Sequence, residues 1–126
     1  MKKILLIDDN DALCEIIRML LEKEGFAVAV SHDGNDGLDN IHKEKPDLVI
    51  LDLGLPGLPG EEVCRRIRKD DDIAKTPVIM LTAKQEDSDR IVGRVIGADS
   101  YITKPFESEK LLKEMNRLLS RSGDNT

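Results

Sequence analysis

Asp8, Asp9, Asp52, Thr82 and Lys104 all stand at the ends of short apolar runs. Ile4-Leu5-Leu6-Ile7 leads into Asp8-Asp9, and Leu48-Val49-Ile50-Leu51 into Asp52. Val78-Ile79-Met80-Leu81 leads into Thr82, and Ser100-Tyr101-Ile102-Thr103 into Lys104-Pro105. The set is three carboxylates, a hydroxyl and an ammonium. A carboxylate can attack phosphorus as a nucleophile. Phosphoryl transfer needs little more than positioning and charge stabilisation, which a lysine can supply. Carboxylates brought together repel, and burial raises their pKa values unless a cation offsets them. Mg²⁺ suits such a cluster, because it favours oxygen ligands and takes one or two carboxylates beside phosphate oxygens and water. Taken singly, each residue has an ordinary role. Asp8 and Asp9 could cap a helix, Asp52 start a turn, Thr82 cap a helix and Lys104 carry a solvated charge.

The elements around these residues decide whether they meet. Continuous apolar runs of four residues read as strands buried on both faces, the signature of a parallel sheet. Phe26 to Ser31 adds another strand, and Pro77 opens the fourth. Between the strands the apolar spacing is helical. Leu13, Ile16, Ile17, Leu20 and Leu21 form the stripe of a first helix, with Asn10 or Asp11 as its cap and Gly25 at its end. Asp33-Gly34 marks a turn, and Leu38 and Ile41 suggest a short helix before Pro46. The Gly/Pro-rich loop from Gly54 to Gly60 leads into a helix bearing Val63, Cys64 and Ile67. Arg65 to Asp72 reads as its solvated end. Ile91, Val92, Val95 and Ile96 stripe a fourth helix ending at Gly97, and Leu111, Leu112, Met115, Leu118 and Leu119 stripe the last. The expected fold is α/β: a (βα)5 doubly wound, flavodoxin-like parallel sheet in the order 2-1-3-4-5. Such sheets bind ligands beyond the carboxyl ends of their strands, where the order reverses. That edge carries all five residues.

Length and composition agree with one domain. The chain has 126 residues, and its core must come from Leu, Ile and Val, since the aromatics are only Phe26, Tyr101 and Phe106. Residues 1–121 form the expected domain and 122–126 a polar tail. The net charge of −6 argues against nucleic-acid binding through this domain, because such affinity comes mainly from neutralising phosphates. Cys14 and Cys64 lack CxxC spacing and read as buried thiols of a reduced protein. His32 and His42 read as surface or helix-end residues. No stretch approaches the roughly 20 apolar residues of a membrane span, and no signal peptide is visible, so a cytoplasmic location is expected.

Ile7-Asp8-Asp9, Leu51-Asp52-Leu53-Gly54-Leu55-Pro56-Gly57 with Gly60, Leu81-Thr82-Ala83, Gly97-Ala98-Asp99 and Tyr101-Ile102-Thr103-Lys104-Pro105-Phe106 occur in this order. Together they resemble the receiver domains of two-component response regulators, the chemotaxis-regulator-like kind, from Lys3 to about Leu119. The resemblance implies a switch that accepts a phosphoryl group on Asp52 from a sensor histidine kinase or a histidine phosphotransfer protein. It also implies that the domain catalyses its own phosphorylation and dephosphorylation. Asp9, Asp52 and the backbone carbonyl of Gly54 would hold Mg²⁺, with Asp8 acting through a water. Lys104 would pair with the phosphoryl group, and Thr82 would hydrogen-bond one of its oxygens. Tyr101 would turn inward as Thr82 moves. The surface of the fourth helix, fifth strand and last helix would then change its fit for a downstream partner or output domain, and a phosphorylation-dependent dimer is compatible with this. The Lys104–Pro105 bond is expected to be cis.

Three residues distinguish this chain. Gly54 stands where many members of the family carry a larger side chain, so the rim beside Asp52 should be open. Pro59 should stiffen the loop into the third helix. Lys84 adds a positive charge two residues after Thr82. Water or a phosphatase is therefore expected to reach the aspartyl phosphate easily. A competing reading takes Asp9-Asn10-Asp11 as the DxD of a haloacid-dehalogenase-like phosphatase, with Asp9 as nucleophile and Asp11 as acid; it leaves Asp52 without a role. A flavin-binding module of similar topology lacks a suitable aromatic and a phosphate loop rich in Ser and Thr.

Overall fold

A computed structural model describes residues 1–83 and 97–123. Its five parallel strands are β1 (Lys3–Ile7), β2 (Ala27–Ser31), β3 (Leu48–Asp52), β4 (Val78–Ala83) and β5 (Ser100–Lys104), in the order β2-β1-β3-β4-β5. The described helices are α1 (Asp11–Lys23), α2 (Gly34–Glu44), α3 (Gly60–Lys69) and a C-terminal helix (Ser108–Gly123). This is the expected doubly wound topology. The fourth helix expected around Ile91 to Ile96 and the rim residue Lys84 lie outside the described residues.

Alternation along the strands divides the core into two layers. Ile4, Leu6, Leu48, Ile50, Ile79, Leu81 and Ile102 point toward α1 and the C-terminal helix, where they meet Ile17, Leu21, Leu111, Met115 and Leu118. Leu5, Ile7, Val49, Leu51, Val78 and Met80 point the other way, against Ile41, Val63, Cys64 and Ile67 of α2 and α3. The three inner strands are therefore apolar at consecutive positions, because both faces are covered.

Local signals place the helices. The Asn10 side chain accepts the Leu13 N–H at 3.0 Å and caps α1, a contact worth about 1 kcal/mol. Gly25, in the left-handed region at φ 94°, follows the end of α1. Asp33 accepts the Asp36 N–H at 2.8 Å, so Asp33-Gly34 is a helix start rather than a separate turn. Phe26 and Pro77 lie just outside β2 and β4.

Two expectations need correction. Ile16 does not belong to the buried stripe of α1: it is 64% exposed, and Cys14, Ile17 and Leu21 face the sheet instead. The segment from Arg65 to Asp72 is not uniformly solvated. Arg68 is half-buried and donates to the carbonyls of Gly97 (2.9 Å), Ala74 (3.0 Å) and Thr76 (2.7 Å) and to Asp99 (2.8 Å). Asp99 also accepts the Val78 N–H at 2.8 Å. Arg68 thus ties α3 to the starts of β4 and β5. Gly97 is required there, since its φ is 95° and an added Cβ would crowd the Arg68 side chain at 3.0 Å.

Both cysteines are buried, and burial pushes each thiol up to about 11. His32 is exposed and pairs with Asp11 at 2.9 Å. His42, on the last turn of α2, makes a cross-helix link. Its Nε2 lies 2.6 Å from Asp70 and its Nδ1 3.0 Å from the Leu38 carbonyl oxygen. Two acceptors at the two ring nitrogens favour the doubly protonated ring. The hydrogen bond donated to Asp70, then that donated to the Leu38 carbonyl, raises the His42 pKa above its ordinary value.

A folded pKa above the unfolded value of about 6.5 gives stability that is complete below that value and disappears as pH rises through the folded pKa. His42→Asn should therefore unfold at a lower temperature than the native protein at pH 5.5, with the difference vanishing by pH 9. Thermal melts of both proteins at the two pH values check this.

Candidate functional site

Three of the charged residues inherit one face of the sheet. Asp8 extends the Ile4–Leu6 parity, Asp52 the Leu48–Ile50 parity, and Lys104 the parity of Ile102. All three side chains therefore emerge on the face toward α1 and the C-terminal helix. The Lys104 ammonium lies 3.1 Å from Asp8 Oδ2 and 3.2 Å from Asp52 Oδ1. The Lys104–Pro105 peptide bond is cis, as expected.

The carboxylates differ in their support. Asp8 is fully buried; its Oδ1 accepts the Asn10 N–H at 2.9 Å, and its own N–H continues the ladder to the Ser31 carbonyl at 3.0 Å. Asp52 is 7% exposed, and its Oδ1 also accepts the Gly54 N–H at 3.3 Å. Asp9 is exposed. One oxygen from each of Asp8, Asp9 and Asp52 lies within 4.8 Å of the others.

The electrostatics follow from this crowding. Burial, and then the neighbouring Asp8, push the Asp52 pKa above its ordinary value against the pull of Lys104. Burial alone would lower the Lys104 pKa, but Asp52 and Asp8 together carry it above its ordinary value. Lys104 therefore stays charged, and one ammonium faces three carboxyl groups. A divalent cation with oxygen ligands fits this donor set, because the three residues offer carboxylate oxygens within 4.8 Å of one another.

Thr82 occupies the opposite parity. It is 3% exposed and lies beside Thr103, while Met80 lies beside Tyr101. Tyr101 is thus the diagonal neighbour of Thr82 on the face toward α2 and α3, within reach of a long side chain. The Tyr101 ring packs into that layer and its hydroxyl is buried. The site has two sides: Asp8, Asp52 and Lys104 on one face, Thr82 and Tyr101 on the other.

The loop after β3 is held close by Gly60. A Cβ there would collide with the Asp52 carbonyl oxygen and approach Leu53 Cα to 2.9 Å, so only glycine lets α3 start against the end of β3. At Gly54, by contrast, an added Cβ meets nothing within 4 Å. Pro59 is the N-cap residue of α3 and makes no side-chain capping bond. Ser31, the last residue of β2, is a buried polar residue; its hydroxyl accepts from Asn40 at 2.6 Å, and its carbonyl accepts the Asp8 N–H. A cleft of about 450 Å³ borders the site, lined by Leu13, Ile17 and Leu20 of α1 together with Lys104, Pro105 and Phe106.

The sequence profile of the response regulator receiver domain matches residues 4–116. Among solved structures, the chain is 34% identical to a Chloroflexus aurantiacus protein assigned as a response regulator, covering 94% of this chain and 98% of that one with a TM-score of 0.91. A Francisella response regulator receiver domain is 31% identical, with 97% and 99% covered and a TM-score of 0.90. The receiver domain of a Pseudomonas aeruginosa sensor histidine kinase is 28% identical, with 94% and 98% covered and a TM-score of 0.88; that protein has a magnesium ion coordinated in its active-site cleft. These matches disfavour the phosphatase reading built on Asp9.

Because the Asp52 pKa is raised on folding, its ionised form costs stability: the loss is absent below the unfolded carboxylate pKa and complete above the folded one. Asp52→Asn should therefore melt at a higher temperature than the native protein at pH 7. The advantage should shrink as the pH is lowered toward 4 and as Mg²⁺ is added to the native protein. Calorimetry of both proteins across that range checks it.

Proposed function

The chain belongs to the response regulator receiver domain family, and from that membership we propose that Asp52 is its phosphoacceptor, with Lys104, Thr82 and Tyr101 reading the modification. The domain is a phosphorylation-controlled switch of two-component signalling. The observation that carries the site assignment is the Lys104 ammonium shared between Asp8 and Asp52, beside the oxygen of Asp9.

The chemistry assigned to these residues is economical. Asp52 attacks the phosphorus of a phosphohistidine, the phosphorus–nitrogen bond breaks, and the imidazole leaves with a proton from solvent. Lys104, already charged and 3.2 Å from Asp52, faces the transferred oxygens. Asp9, Asp52 and the Gly54 carbonyl would hold Mg²⁺, with Asp8 acting through a water. Magnesium bound there supplies positive charge to the phosphoryl oxygens. Thr82 hydrogen-bonds one phosphoryl oxygen, and its diagonal neighbour Tyr101 follows it. Hydrolysis reverses the modification: a water oxygen attacks phosphorus, the bond to Asp52 breaks, and phosphate leaves.

The donor is a sensor histidine kinase or a histidine phosphotransfer protein. The cleft between α1 and Phe106, together with Ile16 and Met19 (64% and 62% exposed), offers it an apolar face directly beside Lys104. The output face includes β5 and the C-terminal helix; its remaining part, the fourth helix, falls outside the described residues. The proposed domain is residues 1–121, in a cytoplasmic protein, and dimerisation on phosphorylation is compatible with this face. No helix among the described residues is long and apolar enough to cross a membrane.

Mg²⁺-dependent labelling by acetyl phosphate or a cognate kinase should map to Asp52 by mass spectrometry and disappear in Asp52→Asn; undiminished labelling of that variant overturns the assignment. Lys104→Ala should keep part of the labelling but lose the partner response, measured as beryllofluoride-dependent binding. Gly54→Met fills the open flank of Asp52 and should prolong the aspartyl phosphate several-fold without slowing its formation. Equal lifetimes in a phosphate-release assay would rule out a role for Gly54.

A further inference from the structure

α2 carries Gly34 and Gly37 on its buried side, although glycine is a poor helix former. Each is explained by what lies against it. A Cβ at Gly37 would come within 2.6 Å of Ile7 Cδ1, the free end of a flexible side chain, so this is ordinary close packing of a helix on a sheet. Gly34 differs. A Cβ there would collide with the Leu58 carbonyl oxygen and would lie 2.8 Å from Leu58 Cβ and 2.9 Å from Val63 Cγ2. The obstacle is backbone, and it belongs to the loop that joins Asp52 to α3.

That loop is tied at its ends. The Gly54 N–H donates to Asp52 Oδ1 at 3.3 Å, and the Gly60 N–H donates to the Leu53 carbonyl at 3.3 Å. Between them Leu55 is buried and Leu58 packs on the layer of Ile7, Leu51 and Val63, while Pro56 and Gly57 are exposed. Gly54 is exposed too, and nothing lies within 4 Å of the place a Cβ would take. The direction of its carbonyl therefore follows from how its neighbours are seated. In the contact with Gly34, α2 is the fixed partner. Ile41 is buried, Asn40 donates to the Ser31 hydroxyl at 2.6 Å, and His42 reaches Asp70 at 2.6 Å. An atom added at Gly34 must displace the loop rather than the helix.

We propose that Gly34 is a positioning residue for the metal side of the site. It lets the start of α2 lie against the Leu58 backbone and so seats the loop that presents the Gly54 carbonyl. This rests on the reading above in which that carbonyl is a Mg²⁺ ligand. Mg²⁺ is small and demands near-ideal octahedral geometry, so its binding is sensitive to the displacement of one carbonyl. Gly34 acts through the loop, not as a ligand.

The test titrates the full chain, labelled with nitrogen-15, with MgCl₂ and follows the backbone amide shifts, with thermal melts alongside. Gly34→Ala should raise the Mg²⁺ Kd at least fivefold. Gly37→Ala is the control: it crowds Ile7 instead of the loop, so it should melt at a lower temperature and keep the native Kd. Leu58→Ala unseats the loop without adding an atom and should also raise the Kd; it decides the question where Gly34→Ala does not fold. A native Kd in folded Gly34→Ala overturns the proposal, as does a native Kd in Leu58→Ala where Gly34→Ala is unfolded, or a Kd raised equally in Gly37→Ala. Asp52→Asn keeps the two readings apart. If that variant binds Mg²⁺ as tightly as the native protein, the metal reading fails and the proposal with it. If its binding is weakened while Gly34→Ala and Leu58→Ala bind normally, only the role of Gly34 fails.

Discussion

Three carboxyl groups converge where, among the described residues, one ammonium is available, and most of the structure at that edge answers this imbalance. At an effective dielectric of about 20, an ion pair near 3 Å attracts by roughly 5 kcal/mol, and two carboxylates 4 to 5 Å apart repel by roughly 4 kcal/mol. Two attractions from Lys104 therefore do little more than cancel three repulsions. Nothing remains to offset the burial of Asp8 and Asp52, which explains why Asp52 is held above its ordinary pKa although a lysine is in contact with it. A site arranged in this way is not built for stability. It holds charge poorly compensated, so that an incoming cation or phosphoryl group changes its energy substantially.

The fold enforces this crowding through parity. Asp8, Asp52 and Lys104 follow apolar residues that face α1 and the C-terminal helix, so their side chains emerge together. Thr82 and Tyr101 follow the other parity and belong to the α2/α3 side. A one-residue slip of β4 or β5 would send each side chain to the wrong face. Register is protected at the far end of these strands, where Asp99 binds the Val78 N–H and Arg68 holds both starts. At the near end, Gly60 lets α3 approach the Asp52 backbone. The chemistry at one edge thus depends on an ion pair at the other.

Much of this was legible in the residues themselves. Continuous apolar runs could only be strands covered on both faces, and their shared direction placed Asp8, Asp52, Thr82 and Lys104 together. Pairings across elements were less accessible. Arg68 sits in a charged run that looks solvated, and only the fold brings Gly97 and Asp99 to it. His42 reads as an ordinary helix-end residue until α3 delivers Asp70. Ile16 matches the helical spacing as well as Cys14 does, and periodicity alone does not say that the smaller side chain faces the sheet. Spacing reports which residues share a face, whereas burial and partner depend on what another segment presents.

The division of the site into two faces bears on how a signal would leave it. Lys104 now bridges Asp8 and Asp52. A phosphoryl group on Asp52 would replace the carboxylate's single negative charge with about two and compete for that ammonium, weakening its hold on Asp8. Asp8 is fully buried and keeps its bond from the Asn10 N–H, so it has little freedom to move. On the proposed reading, the response would pass to the opposite face. Thr82 carries a rotatable hydroxyl, and Tyr101 is its diagonal neighbour on β5, which among the described residues pairs with β4 alone. The charged face is where the imbalance is stored, and the residues proposed to read it lie on the opposite face.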